Sequence, residues 1–429
     1  MLPNLENLLS QALEAGADQA EVYYASTSAQ PVFFESNRLK QLESTQSAGL
    51  ALRVWRSGCP GLAVAYGSVD NQLLIDKALA LASLSAPAIF PGVTPRRQIY
   101  PSVGKSISVE KFIHLGQTAI ASLRDKYPDV LCSSELSCET ETIRLLNSEG
   151  LDCQLEETAN SFYLGVEWIR GEDFLAIYEG DYQRDAPELE TVLKHIDQRL
   201  DWALTAAHLP TATMPVLFTA GAVGLFWDTV AAALNGKQIL EGASPWSQKE
   251  GELVIHPSLN LSQDPHQSPQ DCPFDDEGSP CEFLNLIQGG QMRQFYCDLI
   301  TAHALGRTTT GNGFRPSLGH YPSPNLVNLI VAPGTTNFTD LVQSLERGLI
   351  VDQILGGGAD ISGDFSVNVD LGFAVEKGEV IGRVKDTMIT GNVYRLLNQN
   401  LVLGADQRWV GSCLTPSLLM EGVAVVSEN

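Results

Sequence analysis

The sequence predicts an α+β protein: antiparallel sheet regions with covering helices in the N-terminal half, followed by a β-rich C-terminal domain. Three observations lead there. Residues 20–67 hold five β-rich runs separated by turn formers, several of them alternating apolar with polar residues. Helical periodicity appears before and after them. From Thr211 onward apolar strands, Gly pairs and polar turn clusters dominate.

The first element is an amphipathic helix. Leu5, Leu8, Leu9, Ala12, Leu13 and Ala15 recur at the helical period, and Gly16 supplies a stop. Ala20–Ser26, Pro31–Ser36, Leu39–Thr45, Ala48–Arg56 and Gly61–Gly67 then read as an antiparallel meander broken at Asn37, Gly58 and Pro60. Asn71–Ser83 places Leu73, Leu74, Ala78, Leu81 and Ala82 along a helix that would cover one side of that sheet. Pro87–Pro101 holds four prolines and reads as a connector, because proline has no N–H to give a ladder.

Val109–Lys126 reads as a helix, and strands return from Val130. Ser148-Glu149-Gly150 would turn Thr142–Asn147 into Leu151–Ala159, and Gly171-Glu172-Asp173 would join Phe162–Arg170 to Phe174–Asp181. Pro187–Ala207 opens with Pro and acidic residues, which suit the positive end of a helix. In the last half, helices are expected only near Leu225–Asn235, Asp298–Leu305, Thr339–Arg347 and Val393–Asn400. The expected domains are 1–95 and 105–207, two parts of an N-terminal α+β region, and 211–429.

Composition narrows the function. A chain of 429 residues with 44% apolar content can bury one large core or several modest ones without staples. Its formal charge of −24 would repel a phosphate backbone, so nucleic-acid binding is not expected. The longest apolar runs, such as Met214–Trp227, carry glycines and fall short of the roughly 20 residues of a bilayer-spanning helix, and no signal peptide is read. Eight cysteines without a CxxC pair suggest reduced thiols in the cytoplasm.

None of the seven histidines has a His neighbour at helical spacing, and neither GxSxG nor a phosphate-binding glycine loop is present. What stands out is a set of polar, glycine-bearing segments carrying Asp275, Asp276 and Glu277, then Thr310 and Asn312, then His320, then Ser362 and Asp364. Loops this elaborate often line a cleft, which makes these eight residues candidates for a substrate channel. Each also has a plain reading: the three carboxylates as an exposed turn, 310–313 as a tight loop with positive φ at Gly or Asn, His320 as a hydrogen-bonded loop residue, and Ser362-Gly363-Asp364 as an ordinary turn.

In that order the segments resemble the TldD/PmbA family. The match runs through FDDEG at 274–278, LIQGGQMRQF at 286–295, TTTGNG at 308–313, PSPN at 322–325, SGDFSVNVDLGFAVEKGEV at 362–380 and Pro416–Met420. Weaker similarity lies in Ala17–Val22, the Asn147–Gly150 turn and Gly180-Asp181. Together these cover nearly the whole chain.

In the TldD branch of the family, a His-Glu-x-x-x-His signature and a cysteine near the C-terminus hold the catalytic metal. The corresponding stretch here is Val223–Gly236, with Trp227 and Ala232 in place of the two histidines and Asp228 in place of the Glu. Neither an indole nor a methyl group can ligate zinc. Cys413 lies near the C-terminus but has no imidazole to share a metal with. The resemblance is therefore to the PmbA (TldE) type, and implies a non-catalytic chain without its own zinc. It would pair with a zinc-bearing TldD-type subunit as a heterodimer that acts on unfolded peptides, a homodimer of this chain being the alternative. The family's modulator of DNA gyrase label supports an alternative, a regulatory protein-binding factor. A third reading is an enzyme built around Asp275, Glu277, His320 and Asp364.

Overall fold

The computed structural model describes residues 4–68, 70–90 and 95–427. They fold as two compact units that are not contiguous in sequence. The first comprises the described residues of Met1–Leu193 with Pro273–Cys281 and Asp298–Ser323; the second comprises Lys194–Cys272, Glu282–Cys297 and the described residues of Pro324–Asn429.

The first unit opens with α1 (Leu5–Glu14), where the Asn4 side chain accepts the Asn7 N–H at 2.9 Å and so satisfies an end group of the helix. Then follow β1 (Gln19–Ala29), β2 (Val32–Glu35), β3 (Arg38–Leu42), β4 (Thr45–Arg56), β5 (Cys59–Tyr66) and α2 (Asn71–Ala82). After these come β6 (Arg97–Ile99), α3 (Val109–Lys126), β7 (Leu131–Asn147), β8 (Asp152–Arg170) and β9 (Asp173–Gln183). All nine strands form one sheet.

The sheet is not the simple meander expected. Glu21–Ala29 pairs with Asn147–Glu139 and Val32–Phe34 with Leu136–Ser134, so β1 and β2 lie end to end along one edge of β7. Pro31, which has no N–H, separates them. The strands expected at Leu151–Ala159 and Phe162–Arg170 are one 19-residue strand, β8. Polar Asn160 does not break it, because its buried side-chain amide donates to the Lys105 and Asp185 carbonyls at 2.8 and 3.0 Å. The proline-rich connector does carry a ladder: β6 pairs in parallel with Asp152–Gln154, between Pro95 and Pro101. Residues 91–94 of that connector lie outside the described residues.

One face of the sheet packs Val22, Leu50, Leu52 and Val54 against Leu5, Leu8, Ile75 and Ala78 of the two helices. The other face carries a smaller core of Tyr23, Ala51, Leu145, Leu155 and Phe274. Phe274 belongs to the inserted segment Pro273–Cys281, so loops distant in sequence close that end of the face.

Helix α4 (Leu189–Trp202) is shorter than the expected Pro187–Ala207. In the second unit, β10 (Ala212–Phe218) pairs in parallel with Arg347–Leu355 and antiparallel with Leu418–Ser427. Asp364–Glu376 pairs with Arg347–Leu355 and with Thr387–Asn392, which pairs with Leu418–Ser427, so the five strands close into a ring. A separate six-stranded sheet includes Leu329–Val331, Arg408–Val410 and Cys413–Thr415. β10 leads into α5 (Gly224–Ala233) and α6 (Gly236–Leu240), the latter not foreseen. The other expected helices form at Leu299–Ala304, Phe338–Gln343 and Val393–Leu396. No helix of the described residues is long and apolar enough to cross a membrane.

Candidate functional site

Within the second unit, α5 carries Trp227, Asp228 and Ala232, the residues that the resemblance sets against a metal motif. Trp227 is 1% exposed, and its indole N–H donates to the Thr415 hydroxyl at 2.8 Å. Asp228 is exposed and Ala232 is half-buried. Thr415 closes the short strand that begins at Cys413, so the tertiary structure brings that C-terminal cysteine to the same helix. Burial and, after it, the Asp228 carboxylate push the Cys413 thiol up to about 12. One thiol, an indole donor, a methyl and one carboxylate do not fit a zinc ion, which needs four lone-pair ligands in a tetrahedron. Among the described residues no group of three or more His, Cys, Asp or Glu is placed to hold a metal.

The Trp227–Thr415 bond also has a structural consequence. Thr415→Val should leave a buried indole N–H without an acceptor and lower the stability of the second unit by about 1–3 kcal/mol, measured by urea unfolding.

The first unit holds the other candidates. Asp275, Asp276 and Glu277 are not an exposed turn: Asp275 and Glu277 are 0% and 1% exposed, and Asp276 is only partly exposed. The reason is that Asp275 organises the loop. Its Oδ1 accepts the N–H groups of Glu277 and Ser279 at 3.0 and 2.8 Å, and its Oδ2 accepts that of Gly313 at 2.8 Å. Asp276 accepts the Arg315 N–H at 2.7 Å and hydrogen-bonds Tyr23. Glu277 Oε2 accepts the Leu299 N–H at 2.8 Å, whereas its Oε1 has no partner. The two inserted segments are thus stitched together by carboxylates accepting backbone N–H groups.

Burial raises Asp275 to about 7, against the lowering effect of its three N–H partners. Burial, then the Asp275 charge, lifts Glu277 well above the usual carboxylate range. Of the pair, Glu277 keeps the proton: Asp275 is surrounded by donors, while Glu277 has a free oxygen to carry a hydrogen.

Sequence reading missed the residues that anchor this loop to the sheet. Glu21 on β1 lies directly opposite Arg53 on β4, and its two carboxylate oxygens take Arg53 Nη2 at 2.8 Å and Arg315 Nη2 at 2.7 Å. All three side chains are at most 4% exposed. The Arg53 guanidinium sits 4.7 Å from the Trp55 ring centre, and that of Arg315 sits 4.9 Å from Tyr23. A signal existed: Arg53 interrupts the apolar run Gly49–Trp55, and Glu21 sits between Ala20 and Val22. The distant Arg315 carries none.

The remaining candidates fall as follows. Gly311 has φ +69°, and an added Cβ would collide with the Pro280 carbonyl, so the tight loop at 310–313 requires glycine there. Asn312 is fully buried, and the Thr310 hydroxyl donates to its Oδ1 at 2.8 Å. His320 is exposed and shares a 2.7 Å hydrogen bond with the Ser317 hydroxyl. The structure therefore brings Asp275, Asp276, Glu277, Thr310 and Asn312 into one buried loop system. Ser362 and Asp364 belong to the second unit, both exposed. There Ser362 Oγ donates to Asp360 at 2.5 Å and Asn392 donates to Asp364 at 2.9 Å.

The chain also matches known proteins. Residues 211–427 match the PmbA/TldA metallopeptidase C-terminal domain, and residues 20–84 match PmbA/TldA metallopeptidase domain 1. The chain is similar to a Metalloprotease TldD homolog of Haemophilus influenzae, 27% identical over 67% of this chain and spanning only 60% of that protein. It is also similar to a Metalloprotease PmbA homolog of the same organism, 24% identical over 96% of this chain and 93% of that one. Its fold matches the crystal structure of TldE from Thermococcus kodakarensis with a TM-score of 0.90, at 24% identity, covering 99% of this chain and 100% of that one. With a family model matching half of its length, this chain belongs to the PmbA/TldD family.

Proposed function

We propose that this chain is the metal-free subunit of a two-chain cytoplasmic peptidase. A TldD-type partner, most simply in a heterodimer, supplies the zinc and cleaves the peptide bond; this chain helps enclose the unfolded peptide. One observation carries the reading: the α5 positions that would need imidazoles hold Trp227, spent on a buried hydrogen bond to Thr415, and Ala232. Asp228 would have no metal-bound water to act on. Similarity to proteins of both TldD and PmbA names supports a pairing of unlike chains. The free cysteines suit a reducing compartment.

The test measures bound zinc and turnover of an unfolded peptide by the full chain, alone and mixed with a TldD-type protein. Expected are negligible zinc and no turnover alone, with turnover in the mixture. Stoichiometric zinc and cleavage by the isolated chain would overturn the proposal. No complex with the TldD-type protein, together with capture of a topoisomerase subunit, would replace it with a regulatory role.

A further inference from the structure

In the first unit, β8 and β9 expose several aromatic side chains. The registers of β8 and β9 place Tyr163 opposite Gly180, Tyr178 opposite Gly165, and Phe174 opposite Ile169. Tyr163, Phe174 and Tyr178 are 48%, 53% and 42% exposed, while the alternating Leu164, Val166 and Ile177 are buried. The Tyr163 and Tyr178 rings stack with centres 6.0 Å apart, and an added Cβ at Gly165 would meet the Tyr178 ring at 3.1 Å. The glycines thus let the rings lie low on the sheet, making a flat aromatic shelf.

The same face carries a block of carboxylates toward β7. Glu141 lies opposite Glu157, and Glu139 lies two pairs further along the ladder, on the same face. Glu157 pairs with Arg184 at 2.8 Å, but Glu139 and Glu141 have no cationic partner among the described residues. Their charges reach the Tyr182 hydroxyl, which links the block to the shelf. Aromatic rings beside unneutralised carboxylates attract a cation by two additive routes, ring quadrupole and Coulomb attraction.

We infer that this face is a docking surface for an extended peptide rich in lysine or arginine and apolar side chains, its cations held by Glu139 and Glu141 and its apolar groups by the tyrosine shelf. Charge complementarity decides the occupant. A second copy would set the same carboxylates against each other, and a chain of net charge −24 repels nucleic acid. The inference rests on the peptide-handling function proposed above and names the substrate class that this subunit selects.

Burial, then Glu157, Glu139 and Asp276, raises Glu141 to about 7. With Tyr182, Arg184 and an Asp276 itself raised by burial also facing this block, Glu141 is the carboxylate of the docking face that changes charge between about pH 6 and about pH 8, so binding tightens as the pH rises over that interval.

The test uses the full chain and a fluorescein-labelled peptide of alternating lysine and leucine, read by fluorescence anisotropy. Glu139→Gln with Glu141→Gln, an isosteric pair, should weaken binding at least about tenfold and remove its pH dependence. Tyr163→Ser with Tyr178→Ser should weaken it similarly, with circular dichroism and the thermal midpoint confirming the fold. A glutamate–leucine peptide should not bind. Equal binding of both peptides, unchanged affinity in the glutamine variant, or peptide-independent self-association through these residues overturns the inference. Cleavage by the mixture with a TldD-type protein but no peptide binding here would sink only the docking face; binding here without cleavage in the mixture would sink only the peptidase reading.

Discussion

Glu21→Ala is expected to lower the stability of the first unit by about 3–5 kcal/mol, because it removes the one carboxylate with which two buried guanidinium groups form ion pairs. Glu21 accepts from Arg53 at 2.8 Å and from Arg315 at 2.7 Å, and none of the three reaches solvent appreciably. Arg53 already has Nε and Nη1 without partners, and the carboxylates that feel the charges of Arg315 and Arg53, Asp276 and Glu277, are themselves pushed toward the neutral form by burial. Both arginines also lie against aromatic rings, which reduces the room for a water molecule to enter. Urea unfolding measures the loss. The matching control replaces the whole network, with Glu21→Leu, Arg53→Met and Arg315→Met together. It should recover most of the stability, since a buried ion network costs desolvation that apolar groups of similar volume do not. A loss below about 1 kcal/mol for Glu21→Ala would contradict the burial and pairing described here.

Two conservative substitutions only two residues apart should behave oppositely. Asp275→Asn removes one acceptor oxygen from a site where three backbone N–H groups converge, and in either amide orientation an NH2 group faces a donor. The expected cost is about 3 kcal/mol. Glu277→Gln keeps the oxygen that accepts the Leu299 N–H and replaces a protonated oxygen with an amide that carries its own hydrogens, so it should cost less than about 1 kcal/mol near pH 5.

The pH dependence follows from the direction of the shifts. Unfolded carboxyls titrate near 4, while Asp275 is raised to about 7 and Glu277 well above its usual range. The folded state therefore binds more protons, and stability falls as pH rises from about 4 through the folded values. Glu277→Gln removes one of those protons from the balance, so its stability should vary less with pH than that of the parent chain. A parallel pH profile would show that Glu277 is not the group holding the proton.

Much of the fold was legible because local rules decide it. The opening helix ends where Gly16 says it should, and Val109–Lys126 is helical over its whole expected length. The long strand β8 reads in the sequence as two, one on each side of the polar Asn160 and Ser161. Its partners, the carbonyls of Lys105 and Asp185, are far away in sequence. The connection of β1 to β2 along β7 was likewise invisible, since nothing in either strand names the strand it will pair with.

The candidate site divides the same way. Trp227 and Ala232 follow from sequence, because the lack of a ligating lone pair is a property of the side chain alone, whatever surrounds it. That Thr415 receives the indole hydrogen, that Asp275 and Glu277 are buried, and that Glu21 joins Arg53 to Arg315 were settled only in three dimensions. The protonation state and burial of a charged group depend on which distant groups come to face it, and two residues nearly three hundred positions apart carry no shared local pattern.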